Sequence, residues 1–207
     1  MVRAGAPHPH VEFAMIRSVT FAALLCVCSW APASAQYLPA PTKYTIVTAG
    51  RGYTQHFYRD GDTVLVDLQM AKSADRHAIH LRTIVDAPTT TQLSWDPNDP
   101  SVPCNSVATG DWGDPFDFWR QMALDDSIVP TEIGKDSVNG MATTTYEKTA
   151  PQGSIELWRE DRYGLLVKAV MTLKGHAPVE VFEAKAFVVG APDSAVFDVP
   201  ARCEWKK

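Results

Sequence analysis

The chain has 207 residues, 45% of them hydrophobic, and its 24 acidic and 19 basic side chains give a formal net charge of −5 at neutral pH. Phosphate recognition needs a basic field that this balance does not supply, so a nucleic-acid partner is excluded. The longest apolar run is about half of the roughly 20 residues needed to cross a bilayer as a helix, so no membrane span is expected.

Residues 1–35 read as a secretory signal: Arg17 precedes the apolar run Val19–Trp30, and the stretch closes on Ala33-Ser34-Ala35. Starting at Met15 gives a signal of ordinary shape, so residues 1–14 read as an over-long start whose His8 and His10 need no metal. A lipid anchor is not expected, because Cys26 follows Leu25 and Cys28 follows Val27 where a lipoprotein signal carries a small residue. Without its first 35 of 207 residues the chain keeps 172, residues 36–207, which suit one domain burying about 70% of its unfolded surface. Losing Arg3, Arg17 and Glu12 takes the basic and acidic counts to 17 and 23, a net of −6. The expected location is periplasmic or secreted. Only Cys104 and Cys203 remain beyond the signal, and in an oxidising compartment an isolated pair is expected to bond. Such a disulfide would close a loop worth about 4–5 kcal/mol on the chain-entropy model; the alternative is two thiols too far apart to meet.

From Lys43 the pattern is one of strands and short turns. Asp60-Gly61 in "YTIVTAGRGYTQHFYRDGDTVLVDLQ" separates two β-rich runs, a hairpin signal. "RHAIHLRTIVD" and "TTTQLSW" follow as strands on either side of Ala87-Pro88, and then "DPNDPSVPCNSVATGDWGDP" reads as a long loop tied down at Cys104. One helix is expected to open at Asp114-Pro115 and run through "FDFWRQMAL", with Phe116, Phe118, Trp119, Met122 and Ala123 on one broad apolar arc. Four further strands, "MATTTYEK", "SIELWRE", "LLVKAVMTLK" and "VEVFEAKAFVV", are marked off by turns. The expected fold class is therefore mainly β (α+β): an antiparallel sheet of about eight or nine strands with one inserted amphipathic helix.

The last two strands carry apolar residues on both faces: Val170 sits opposite Ala169 and Met171, and Phe182 opposite Val181. A sheet wetted on one side alternates more cleanly than this. Two architectures fit: a strongly curved open sheet, a half-barrel around the helix with a groove, or a closed barrel or sandwich in which bulges shift the alternation.

No nucleophile, acid-base or metal motif stands in a recognisable setting, and no cofactor is implied. His77 and His80 lie three apart in a strand and so point to opposite faces, an awkward arrangement for a shared ion. Asp96, Asp99, Asp111, Asp114 and Asp117 lack calcium-loop spacing and suit turn and capping duties. Asp125-Asp126 and Glu160-Asp161 fall at turn positions, where solvated carboxylates are ordinary. Trp158 shares its strand face with Glu156 and Glu160, as an exposed contact or as cover for a hairpin edge.

The segments "YRDGDTVLVDL", "LSWDP", "IGKDSVNGMATTTYE", "IELWREDRYGLLVKAVM" and "PDSAVFDVPA" occur in an order that resembles the periplasmic lipoprotein-carrier superfamily, the LolA-like half-barrels and their secreted relatives. The resemblance spans most of Tyr44 to Ala201, and its motifs are structural. It implies a LolA-like domain whose curved sheet surrounds a hydrophobic cavity for acyl chains. Against the family pattern, the short Tyr37–Lys43 stretch with its two prolines leaves no room for a helix before the first strand, and no ligand-contacting positions carry over. The expected function is non-catalytic binding of a lipid-like or other hydrophobic ligand in an apolar groove, with Phe116, Phe118, Trp119, Met122, Val170 and Phe182 facing it. The alternative is an envelope-structural or protein-interaction module with a packed interior. These residues serve equally as plain core, and the choice between the readings turns on cavity volume.

Overall fold

A computed structural model describes residues 37–74, 77–108, 113–117 and 130–204, all within the unit Ala35–Lys207. Among these residues the chain forms eleven strands: β1 (Lys43–Gly50), β2 (Tyr53–Asp60), β3 (Thr63–Met70), β4 (Ile79–Asp86), β5 (Thr91–Trp95), β6 (Asn105–Ala108), β7 (Thr131–Val138), β8 (Met141–Ala150), β9 (Gly153–Glu160), β10 (Leu166–Leu173) and β11 (Val179–Val189). All the pairings are antiparallel, in the order β6-β5-β4-β3-β2-β1-β11-β10-β9-β8-β7. Two meanders are thus joined where the first strand pairs with the last, from Tyr44 opposite Val189 to Ala49 opposite Glu183. β6 and β7 are the two edges, so the sheet is open.

The fold differs from the expected class in two ways. Eleven strands replace eight or nine, because Gly50–Gly52 makes a turn within the first run and because β6 and β7 carry no apolar alternation to announce them. Both are edge strands, hydrogen-bonded on one side only, and solvent takes the other. The inserted helix is the second correction: among the described residues there is no α-helix, and Pro115–Asp117 is a turn. Asp114 does accept a hydrogen bond from the Phe116 amide at 2.9 Å, as a helix cap would. An Asx-turn makes the same bond without a helix following it. The remaining positions of that segment, 118–129, lie outside the described residues.

β6 and β7 are separated by 22 residues in sequence and by the whole width of the sheet. Ten strand spacings amount to about 48 Å along a flat sheet. The described part of the connection, residues 113–117, lies against mid-sheet. Phe116 packs edge-on against Tyr44 of β1 at 5.4 Å and against Phe187 of β11 at 5.9 Å, and Asp114 pairs with Arg59 of β2 at 3.3 Å. Burial, then the nearby Asp114 carboxylate, push the Tyr44 hydroxyl pKa upward.

The opposite face of β3–β5 is covered by the carboxy-terminal segment. Val196, Phe197 and Val199 pack on Leu65, Ile84, Leu93 and Trp95 together with Cys203. A short 3-10 turn, Ser194–Phe197, capped by Asp193, begins this strap, and the Cys104–Cys203 disulfide ends it with Cα atoms 5.5 Å apart. Arg82 donates to the Val196 carbonyl at 2.5 Å, and Arg202 donates to the carbonyls of Val102 and Asp96. The cysteine pair expected from the sequence is therefore a clasp holding the terminus over a buried apolar surface.

Four register shifts interrupt the ladders, at Val47/Thr48, Leu166/Lys168, Ala169/Val170 and Glu132/Gly134. Leu165, Leu166 and Val167 are consecutively buried because both faces are covered here: Leu165 and Val167 join the cluster of Tyr44 and Ile46, and Leu166 joins that of Leu157 and Phe182. The sheet is open and bulged at once, a combination that neither sequence-stated architecture contained by itself.

Replacing both cysteines by serine is expected to lower stability by about 2–4 kcal/mol, read as a shift of the urea midpoint. The same variant is expected to bring the amides of 194–203 into faster hydrogen exchange while those of β9 and β10 stay protected.

Candidate binding surface

Strand register sorts the amino-terminal meander into two faces. Tyr44 and Ile46 of β1 align with Arg59 and Phe57 of β2, then with Val64 and Val66 of β3. The same side continues as Leu68 opposite Leu81 and Met70 opposite Ile79. This is the face on which residues 113–117 of the β6–β7 connection lie. Its half towards Tyr44 is buried, whereas Leu81 and Ile79 are 36% and 39% exposed.

Around the strand ends beyond this row lies a cavity of about 600 Å³. Ala49, Thr54, Gln69 and His80 line it from the strapped face, Tyr53, Met70 and Ile79 reach it from the other, and Asp96 and Asn98 of the β5–β6 loop add polar groups. Tyr53 is held by its neighbours: its hydroxyl donates to the Val181 carbonyl at 3.4 Å, so the ring lies across β1 at Gly50. A Cβ at Gly50 would stand 2.3 Å from that ring, which is why glycine occupies the position.

The strapped face holds the polar groups. Asp67 accepts hydrogen bonds from His80 at 3.0 Å and from Gln69 at 3.4 Å, and its other oxygen lies in an ion pair 3.3 Å from Arg82 Nε. A carboxylate with three such partners is spoken for structurally, and His80 is one of them. His77 lies in the exposed β3–β4 connection, so the two histidines do not converge. Asp96 and Asp99 accept backbone amides of their own loop, and Glu160 accepts those of Arg162 and Tyr163, as turn duties require.

In the carboxy-terminal meander the Asn139-Gly140 turn, with φ of 49° and 82°, folds back to β11. The Asn139 amide donates to the Glu183 carboxylate and to the Ala184 carbonyl, both at 2.8 Å, although β8, β9 and β10 intervene in strand order. Such reach requires this half of the sheet to coil sharply. Trp158 lies within the coil, 9% exposed, donating to Asp136 at 2.9 Å, with Lys168 at 5.4 Å from its ring. It is buried, neither an exposed contact nor an edge cover. Glu183 receives Lys185 at 2.6 Å, Lys168 at 2.9 Å and Asn139, and these donors hold its pKa down to about 2.

Of the residues expected to face a ligand, Phe116 and Val170 pack against the cluster built on Tyr44, Ile46 and Phe57. Phe182 lies in a separate cluster with Leu157, Leu166 and Ala169. None of the three lines the 600 Å³ cavity. Phe118, Trp119 and Met122 lie outside the described residues. The cavity and the row leading to it use Leu68, Met70, Ile79 and Leu81 instead. The period-two run Val64, Val66, Leu68, Met70 was the sequence signal for half of this surface.

No protein-family model and no curated protein sequence matches the chain. Among solved structures, the Pseudomonas aeruginosa MucA/MucB complex matches at 16% identity and a TM-score of 0.50, covering 78% of this chain and 57% of that chain. MucB crystallised by itself matches at 16% identity and a TM-score of 0.49, over 79% of this chain and 59% of the other. LprF from Mycobacterium bovis matches at 15% identity and a TM-score of 0.43, over 74% and 90%. This chain thus spans less than two thirds of the MucB chains it matches.

Because the Glu183 carboxyl falls from its ordinary value near 4.5 to about 2 on folding, its contribution is fully present above about pH 4.5 and is lost as pH falls towards 2. In Glu183→Gln that part of the acid destabilisation is expected to vanish, seen as a flatter dependence of the urea midpoint on pH between about 5 and 2. The variant is also expected to be less stable than the parent at neutral pH.

By its likeness to the MucA/MucB complex structure, the chain has the fold of MucB over most of its length, and that likeness is one of fold alone.

Proposed function

We propose that the protein is a non-catalytic binding module of the cell envelope that holds a lipid-like molecule in the cavity at the end of β2–β4. The carrying observation is a cavity of about 600 Å³, within the range of small-molecule sites, at the strand ends, where Met70 and Ile79 join its lining of Ala49, Thr54, Gln69 and His80 to the partly uncovered Leu68–Leu81 pair. An acyl chain laid along this row would meet aliphatic side chains, and a polar head would meet Thr54, Gln69 and Asn98. The side chains best placed for acid-base work, Asp67 and His80, are engaged with each other, which supports binding over catalysis. The signal-like first 35 residues, with residues 36–207 as a LolA-like domain, support export to the periplasm or beyond, and the disulfide suits that compartment.

A protein partner is the second reading. It is favoured by the MucA/MucB structure, in which a protein of this fold is found in a complex. On this reading the exposed Leu81 and Ile79 belong to an interface.

Two measurements separate the readings. Native mass spectrometry of the exported protein, followed by organic extraction, is expected to reveal a retained lipid. A fluorescent acyl-chain probe is expected to bind one-to-one and to bind at least about tenfold more weakly to Ile79→Asp/Leu81→Asp, since burying such side chains is worth about 1.5–3 kcal/mol each. A clean apo mass with no probe uptake overturns the lipid reading. Capture of an envelope protein that the same double variant loses would then establish the second.

A further inference from the structure

The two ends of the sheet differ in charge. The strand register places the β1–β2 turn, the β3–β4 connection and the β10–β11 turn at one end. They are neighbours in space: Gly50 and Gly52 line the 600 Å³ cavity with Ala71 and Ala78, and Gly50 and Arg51 line a second cavity with Pro178 and Val179. The exposed tips of these three turns carry Arg51, Lys72 and Lys174, with His77 and His176 beside them. None of the three cations has an ion-pair partner among the described residues. Asp75 and Arg76, of opposite charge, belong to the same connection but lie outside the described residues. The described acids on this side are Glu180, engaged with Lys168 at 3.5 Å, Asp96 and Asp99 of the flanking loop, which are turned onto backbone amides of that loop, and Glu204, which lines a cavity there with Cys104 and the cation Arg202.

The other end has the opposite sign. Its turns hold Asp60, Asp62, Asp86, Glu160, Asp161 and Asp193, against Lys43, paired with Asp60 at 2.8 Å, and Arg162. A chain that is acidic as a whole therefore gathers unpaired cations on one rim. That rim is also apolar. Ile79, Met171, Leu173 and Val179 are all exposed there, interleaved with the cationic tips. Single exposed aliphatic side chains are ordinary on a protein surface; what marks this rim is that four of them are grouped with three cations that have no ion-pair partner among the described residues. An anionic lipid surface has a use for both, since it attracts Lys and Arg to its phosphates and takes up short apolar side chains at the headgroup level.

We propose that this rim, formed by the tips of the β1–β2, β3–β4 and β10–β11 connections, docks the protein onto an anionic phospholipid surface, with Arg51, Lys72 and Lys174 over the headgroups and Leu173 and Val179 inserted between them. The contact is peripheral and reversible. It goes beyond the ligand reading and does not depend on it, because an empty cavity would leave the rim unchanged.

The test is co-sedimentation of the exported protein with vesicles of phosphatidylglycerol and phosphatidylcholine, against vesicles of phosphatidylcholine alone. Binding is expected only to the anionic vesicles and is expected to weaken as salt rises. Arg51→Gln/Lys72→Gln/Lys174→Gln is expected to reduce it on the order of a hundredfold, at about fivefold per side chain near the surface. Leu173→Ser/Val179→Ser is expected to reduce it with the salt dependence retained, and Asp60→Asn/Asp62→Asn, at the opposite end, is expected to leave it intact. These are exposed turn and strand-end positions, and circular dichroism checks that each variant folds. Equal binding to both kinds of vesicle, or a triple variant that binds like the parent, overturns the proposal. Retention on immobilised polyglutamate without binding to anionic vesicles also overturns it, and assigns the rim to an acidic protein instead. Acyl-probe uptake measured on the triple variant keeps the two proposals separable, since it is expected to be unchanged.

Discussion

Everything in this sheet depends on the pairing of β1 with β11. Six residues of the first strand, Tyr44 to Ala49, find their partners between Val189 and Glu183, some 140 residues away. Without that ladder the chain would be two meanders of five and six strands, each with an edge that buries nothing. With it, the outermost strands β6 and β7 stand at opposite margins although they are consecutive in sequence, and the described part of the segment between them lies at the joint itself, where Phe116 meets Tyr44 of β1 and Phe187 of β11. One long-range pairing thus sets the sheet order and builds the seat of Phe116. Such non-local pairing closes large loops before it is rewarded, a feature of slowly folding topologies.

The two faces are then closed by different means. The strap from Ser194 to Cys203 covers β3–β5, and the Asn139 turn curls back to β11 over the carboxy-terminal half. Opposite the strap, only the part of the face near Tyr44 is fully buried. The row from Leu68 to Ile79 and the cavity beyond it are what this arrangement leaves open. The polar groups most suggestive of chemistry, Asp67 with His80 and Glu183 with its two lysines, are consumed in holding strands together. Among the described residues these contacts leave open an apolar row, a cavity of mixed lining and an end whose cations have no ion-pair partner.

Much of the local structure was legible in the residues. Asp60-Gly61 and Asn139-Gly140 both turn hairpins, the late apolar runs are strands, and the two cysteines with "FDVP" between an early turn and the terminus form a clasp. The misreadings have physical causes. Asp114 followed by Pro115 makes the hydrogen bond of a helix cap, and an Asx-turn makes the same one, so local chemistry could not tell them apart. β6, "NSVA", and β7, "TEIGKDSV", are strands only because a neighbour offers a ladder on one side, and nothing apolar in them records that. Trp158 alternates with glutamates and so looks solvent-facing, but the coil of β7–β8 brings Asp136 over it.

The candidate surface was the least legible part. The aromatic arc at Phe116 drew attention because large apolar side chains carry the strongest pattern, and Phe116 packs against the buried cluster of Tyr44, Ile46 and Phe57. Leu81 and Ile79 look like ordinary strand residues, and their exposure depends on which face the strap takes. By itself, the sequence determined the strands other than β6 and β7, the Asp60-Gly61 and Asn139-Gly140 turns, the cysteine partnership and the acidic balance, since each rests on backbone preference, on covalent chemistry or on a count. The tertiary structure alone decided the sheet order, the face left uncovered, the burial of Trp158 and the gathering of Arg51, Lys72 and Lys174 at one end. Those depend on which distant segments meet, and no residue carries that information in its own neighbourhood.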